Sequence, residues 1–143
     1  MLSTNTYLHF AGNAEKAMNF YKRVFNGTFT IFQRYKEIPG GEKLNTDEQE
    51  KLIHASLNIG NGIILMATDA LQSMGRTVIQ GNNFYTCLHT DGEAETEKLF
   101  SLLSEDGQVE MPLNKTFWGA YFGMCRDKFG ILWMINYTYT QSK

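Results

Sequence analysis

The sequence predicts an α+β fold of two β-α-β-β-β modules, and three observations carry that prediction. Stretches in which apolar and polar residues alternate recur along the chain, as half-buried strands require. Two stretches of helical spacing interrupt them, one in each half. The halves also repeat. Gly12 and Gly92 stand 80 residues apart, as do Phe20 and Phe100, while Gly62 and Gly130 each precede a methionine, Met66 and Met134, by four residues. One helix covers one face of a sheet and leaves the other open, so two modules side by side are expected to form a cup-shaped sheet. The modules are placed at about residues 1–69 and 82–143 of a single domain spanning 1–143.

Residues 4–10 read as a short strand that stops at Ala11-Gly12-Asn13. Asn13 is expected to cap a helix running to Phe25, because its short side chain can accept a bond from a free helix N–H. Ala14, Ala17, Met18, Tyr21, Val24 and Phe25 share one face of that helix, with Glu15, Lys16, Lys22 and Arg23 on the other. Asn26-Gly27 ends it, since both residues tolerate a left-handed backbone. Residues 28–35 are rich in β-branched and aromatic side chains and read as a strand. The polar stretch 36–50, with Pro39-Gly40-Gly41 inside it, is expected to be a long, mobile loop, functional or partly disordered. Over residues 52–59, Ile53, Ala55, Leu57 and Ile59 alternate with His54, Ser56 and Asn58. Gly60-Asn61-Gly62 then turns the chain into a strand over 63–68, and residues 69–82 connect the halves.

In the second half, 83–89 reads as a strand and Glu93 opens a helix to about Ser104, with Leu99, Phe100, Leu102 and Leu103 inward. Asp106-Gly107 ends the helix, and strands over 109–113, 117–124 and 131–139 complete the module.

The composition, 43% hydrophobic and 20% charged over 143 residues, is that of an ordinary globular domain. A formal net charge of −2 with scattered basic residues gives no field for a phosphate backbone, so nucleic acid is not an expected partner. No apolar run approaches the roughly 20 residues of a membrane helix, and no membrane association is expected. No basic segment followed by an apolar one marks a secretory signal. Cys87 and Cys125 fall in strand-like runs without a CxxC and read as buried, reduced thiols, which points to a cytoplasmic protein.

Three groups of residues could carry chemistry. His54 shares the polar face of its strand with Ser56, where an imidazole can act as a base or hold a ligand. His89 lies at a strand end, and His9 reads as structural. Trp118, Tyr121 and Phe122 could stack on a planar ligand. No spacing resembles a nucleophile elbow.

Several short runs point to a family. They are Tyr7-Leu8-His9-Phe10-Ala11-Gly12-Asn13-Ala14, Phe20-Tyr21, His54-Ala55-Ser56-Leu57 and Met66-Ala67-Thr68-Asp69-Ala70 in the first half. Lys115-Thr116-Phe117-Trp118-Gly119, Asp127-Lys128-Phe129-Gly130 and Trp133-Met134-Ile135-Asn136 follow in the second. Together they resemble the PhnB-like branch of the vicinal oxygen chelate superfamily, which also holds glyoxalases, extradiol dioxygenases and bleomycin-resistance proteins. The branch also carries a 3-demethylubiquinone methyltransferase-like name. The resemblance implies the two-module fold and a homodimer, often with modules paired across subunits, and it brings no established activity with it.

Metal-dependent relatives place a His or Glu early in the first strand of each module and a Glu late in the last. Counting along the repeat puts Thr6, Tyr85, Met66 and Met134 at those positions, none a good ligand for a hard or borderline divalent ion. His9 counts to the wrong strand parity for the cup. No metal and no cofactor are therefore expected. Methyl transfer from S-adenosylmethionine calls for a glycine-rich strand-to-helix turn, which neither Gly12-Asn13 nor Gly60-Asn61-Gly62 provides. The expected protein binds a small molecule in a cup lined by His54, Ser56, Met66, Tyr85, His89, Trp118, Tyr121 and Met134. A metal-dependent lyase, isomerase or dioxygenase with an atypical ligand set is the alternative.

Overall fold

The structure, a computed structural model, describes residues 1–140. The chain divides into two compact units, Met1–Ile79 and Gln80–Lys143, each with a four-stranded sheet.

The first unit runs β1 (Thr6–Phe10), α1 (Ala14–Phe25), β2 (Thr28–Arg34), α2 (Thr46–Gln49), β3 (Leu52–Asn58) and β4 (Ile64–Asp69). Its strand order is β1-β4-β3-β2, with β1 parallel to β4 and the other pairs antiparallel. Ala14, Ala17, Met18, Tyr21 and Val24 of the expected stripe are buried, Phe20 joins them, and Phe25 at the end of the helix is only half-buried. Burying a large apolar side chain is worth roughly 1.5–3 kcal/mol, so this face is what holds the helix to the sheet. Asn26 closes α1 in the left-handed conformation expected of it (φ 51°), its N–H on the Lys22 carbonyl.

The start of α1 differs from expectation. Asn13 makes no side-chain cap. Asp69, at the end of β4, replaces it: its Oδ1 accepts from the N–H groups of Gly12 (3.1 Å) and Ala14 (2.9 Å), and its Oδ2 from Leu52 N–H (2.9 Å). A carboxylate satisfies free helix donors better than an amide does, because it is acceptor-only and carries the charge the helix dipole favours.

The polar stretch 36–50 is not an open loop. It folds into two short 3₁₀ turns, Tyr35–Glu37 and Gly41–Lys43, and then α2, where Asn45 accepts from Glu48 N–H. The Gln49 amide bonds the Leu44 carbonyl and Lys36 pairs with Glu50 at 2.9 Å, so the stretch satisfies its own backbone locally.

The second unit repeats the plan with β5 (Thr86–His89), α3 (Glu93–Ser104), β6 (Gln108–Lys115), β7 (Ala120–Arg126) and β8 (Leu132–Thr138), in the order β5-β8-β7-β6. α3 is less deeply seated than α1, burying Thr96, Phe100 and Leu103, while Leu99 and Leu102 are half-buried. Trp133 is fully buried and donates its indole N–H to Asp127 (2.8 Å). Cys125 is buried as expected, but Cys87 is exposed, because the edge strand β5 turns it away from α3. No helix among the described residues is long and apolar enough to cross a membrane.

Candidate functional site

Each sheet has a helix-covered face and an open one, and the strand registers say which side chains lie where. In the first unit Leu8, Ala55 and Ala67 stand in line and buried beneath α1. One residue further along each strand is the open face, where Met66 lies between Tyr7 and Ser56. Tyr7 is therefore the early strand residue that points to the open side, and Thr6, beside buried Leu65, is not. His9 has the same parity as Tyr7 and pairs with Thr68, so it too lies on the open face, contrary to the sequence count. The count slipped by one, which in a strand reverses every side chain.

These residues form a connected polar group. The Tyr7 hydroxyl meets His54 Nδ1 at 2.7 Å, and His54 Nε2 meets Ser56 Oγ at 2.8 Å. Ser56 is buried while Tyr7 remains partly open to solvent. Burial pushes the Tyr7 phenol above its ordinary pKa, with neighbouring Tyr35 adding to the shift and Arg76 opposing it. Arg76 donates to His9 Nδ1 (3.2 Å), so the neutral imidazole of His9 carries its proton on Nε2.

In the second unit the central open-face residue is Met134, between Cys87 and Met124. His89 stands beside Asn136, whose amide donates to His89 Nδ1 at 3.3 Å. Phe122, also beside Asn136, meets the Trp118 ring edge-on at 6.1 Å, and Trp118 is itself more than half exposed. Tyr85 precedes β5 and donates to Glu110 on β6, a bond that raises its pKa ahead of burial.

Tyr121 does not line this face. Its hydroxyl donates to Glu97 of α3 (3.0 Å), and it shares the helix side of β7 with Gly123, against which Phe100 packs. Alternation within residues 117–124 put Tyr121 and Phe122 on opposite faces, and only α3 decides which face is covered. Sequence reasoning also missed Tyr7, Arg76 and Glu110. Tyr7 had a signal, in that Leu8 and Phe10 are the apolar members of its strand. Arg76 had none, since it lies 67 residues from His9.

A metal does not fit these faces. Among the described residues no three His, Cys, Asp or Glu side chains come together as a ligand set. Both ring nitrogens of His54 are engaged by Tyr7 and Ser56, and the central open-face position of each sheet is a thioether.

Residues 3–136 match the family described as 3-demethylubiquinone-9 3-methyltransferase. The chain belongs to this family. Among its PhnB-like relatives, Protein YjdN of Escherichia coli K12 is 30% identical, with 91% of each chain covered. The crystal structure of PA1353 from Pseudomonas aeruginosa superposes with a TM-score of 0.84 at 35% identity, covering 96% of this chain and 98% of that one. A PhnB protein from Bacillus cereus, a putative 3-demethylubiquinone-9 3-methyltransferase, gives 0.76 at 28% identity, with 96% and 100% covered. The fold itself extends to a glyoxylase/bleomycin resistance protein/dioxygenase domain from Frankia (TM-score 0.69, 8% identity, 99% and 96% covered). The PhnB-like chain is thus a member of the glyoxalase-type fold, α+β with two four-stranded sheets.

Proposed function

We propose that this PhnB-like chain is a metal-free, homodimeric protein that binds a small molecule on its open sheet faces. The observation that carries the reading is the make-up of those faces. Their central positions, Met66 and Met134, are soft and apolar, and around them stand a few convergent polar groups and exposed aromatic rings: His54, Ser56, Tyr85, His89 and Trp118. That mixture suits an organic ligand held by stacking and a few hydrogen bonds. A sequestering role, of the kind that a bleomycin-resistance name describes, requires no bond to be broken.

The methyl transfer in the family's description finds no support in the local geometry. The strand-to-helix turn at Gly12 is the place where a polar cofactor group would meet helix N–H groups. There the N–H groups of Gly12 and Ala14 already donate to the chain's own Asp69.

The test is elemental analysis of untagged protein, followed by titration with Zn, Mn, Fe(II) and Ni under thermal denaturation, with sedimentation equilibrium on the same sample. The expected outcome is a dimer without stoichiometric metal and without ion-dependent stabilisation. Stoichiometric metal lost in His54→Ala or His89→Ala would replace this reading with a metal-dependent lyase, isomerase or dioxygenase on an unusual ligand set.

A further inference from the structure

The two sheets repeat each other's registers, and at one level of the repeat their open faces differ in sulfur content. Across the first sheet, Tyr7, Met66, Ser56 and Ile31 stand side by side on β1, β4, β3 and β2. The matching row of the second sheet is Cys87, Met134, Met124 and Met111, on β5, β8, β7 and β6. One sulfur in the first row becomes four in the second. The architecture therefore does not call for sulfur at this level. Yet three of the chain's seven methionines and one of its two cysteines are gathered in this one row.

Paired residues of adjacent strands stand about 5 Å apart at Cα, and a methionine has three rotatable bonds with which to swing its sulfur toward a neighbour. Met134, in the middle, has Cys87 on one side and Met124 on the other. The row is open to solvent in part: Cys87 is exposed, and Met134 and Met124 are half-buried. The other face of the same strands is closed, with the paired Trp133 and Cys125 buried.

A hard or borderline divalent ion needs converging oxygen and nitrogen donors, and among the described residues no such ligand set forms. Thiolate and thioether donors are instead the choice of a soft monovalent ion, Cu(I) above all. Charge makes the same selection. One thiolate and two neutral thioethers around a monovalent cation sum to zero, so nothing else on the face has to balance them. A divalent ion would leave a net positive charge there. The thiol proton leaves to solvent as the thiolate binds.

We propose that the open face of the second unit binds a Cu(I) ion through the sulfurs of Cys87, Met134 and Met124, with Met111 continuing the row to the sheet edge. The ion is exchangeable cargo, taken up when offered under reducing conditions. Protein isolated without added copper stays metal-free, as the reading above requires. No histidine belongs to the row, so the site is separate from any that the divalent titration would reveal through His54 or His89.

The test is anaerobic titration of untagged protein with Cu(I) held on a coloured competing chelator, with methyl NMR of the methionines in parallel. A stoichiometric amount is expected to pass from the chelator to the protein. It should shift the methyl signals of Met124 and Met134 and leave those of Met18 and Met74 in place. Met134→Leu and Met124→Leu nearly conserve volume and apolarity, and each should weaken binding about tenfold or more. Cys87→Ser should weaken it further, and Met74→Leu, in the first unit and outside the row, should leave it unchanged. Cu(I) bound with unchanged affinity in both leucine variants, or without a methyl shift, is an adduct of the Cys87 thiol alone and overturns the proposal. Failure of the protein to take Cu(I) from the chelator overturns it as well. Each of these failures leaves the small-molecule reading standing, because that reading is decided by the divalent titration above.

Discussion

The Asp69 carboxylate joins the end of β4 to two segments far from it in the chain, the turn into α1 at Gly12 and Ala14 and the start of β3 at Leu52. It is 1% exposed, so removing it strands buried N–H groups that water cannot reach. Asp69→Ala is expected to cost about 3 kcal/mol or more in urea unfolding, and Asp69→Asn, which keeps one acceptor, distinctly less. The cysteines make a second residue-scale prediction. Burial pushes the Cys125 thiol up to about 12, with Asp127 next in effect, so it stays protonated and inaccessible at neutral pH. Cys87 is exposed, and partial burial raises its thiol above the ordinary value of 9.0. A thiol reagent should therefore titrate one equivalent in the native protein and two in denaturant. The native rate should keep rising as pH passes 9, because only the thiolate reacts. Two fast native equivalents would contradict the burial of Cys125. Sequence reasoning placed both cysteines correctly in strands, but an edge strand and a central strand look alike until their neighbours are known.

At the scale of elements, the close approach of α3 to its sheet depends on one missing side chain. A Cβ at Gly123 would stand 2.8 Å from the Phe100 ring and 3.0 Å from Leu113. Gly123→Ala is expected to destabilise the protein by about 1–3 kcal/mol, read as a lowered denaturation midpoint, because overpacking a seated helix forces it outward. Both helices were legible because a 3.6-residue stripe survives any tertiary arrangement, and Glu93–Ser104 matches the expected span. The 36–50 stretch was not legible. Its turns are held by pairs such as Lys36–Glu50 and Asn45–Glu48, polar contacts that leave no apolar period to read.

At the scale of the molecule, the two units are unequal. The first buries most of the large apolar side chains, including Met18, Tyr21, Leu52 and Leu57. The second buries fewer, Phe100, Leu103, Leu132, Trp133 and Ile135 among them, and leaves the aromatic rings of Phe84, Phe117 and Trp118 exposed. Stability follows buried area, so hydrogen exchange should be slower in α1 and β3 than in α3 and β6. Equal protection of the two units would mean that the exposed aromatics of the second are covered in solution. The candidate site shows the same limit: alternation put His54 and Ser56 together and counting along the repeat added Met66, whereas Tyr7 and Arg76 joined them only through pairings 47 and 67 residues apart.

What the sequence by itself determined is the periodic content: two modules, their helices, the Gly60-Asn61-Gly62 turn, and which residues of a strand share a face. What only the tertiary structure decided is which of the two faces a helix covers. That choice turned Tyr121 inward to Glu97, brought Tyr7 and His9 to the open side, exposed Cys87, and gave the cap of α1 to Asp69 rather than Asn13. The physical reason is that a strand's period is two. Local pattern separates its side chains into two sets, and only packing against the rest of the chain says which set is inside.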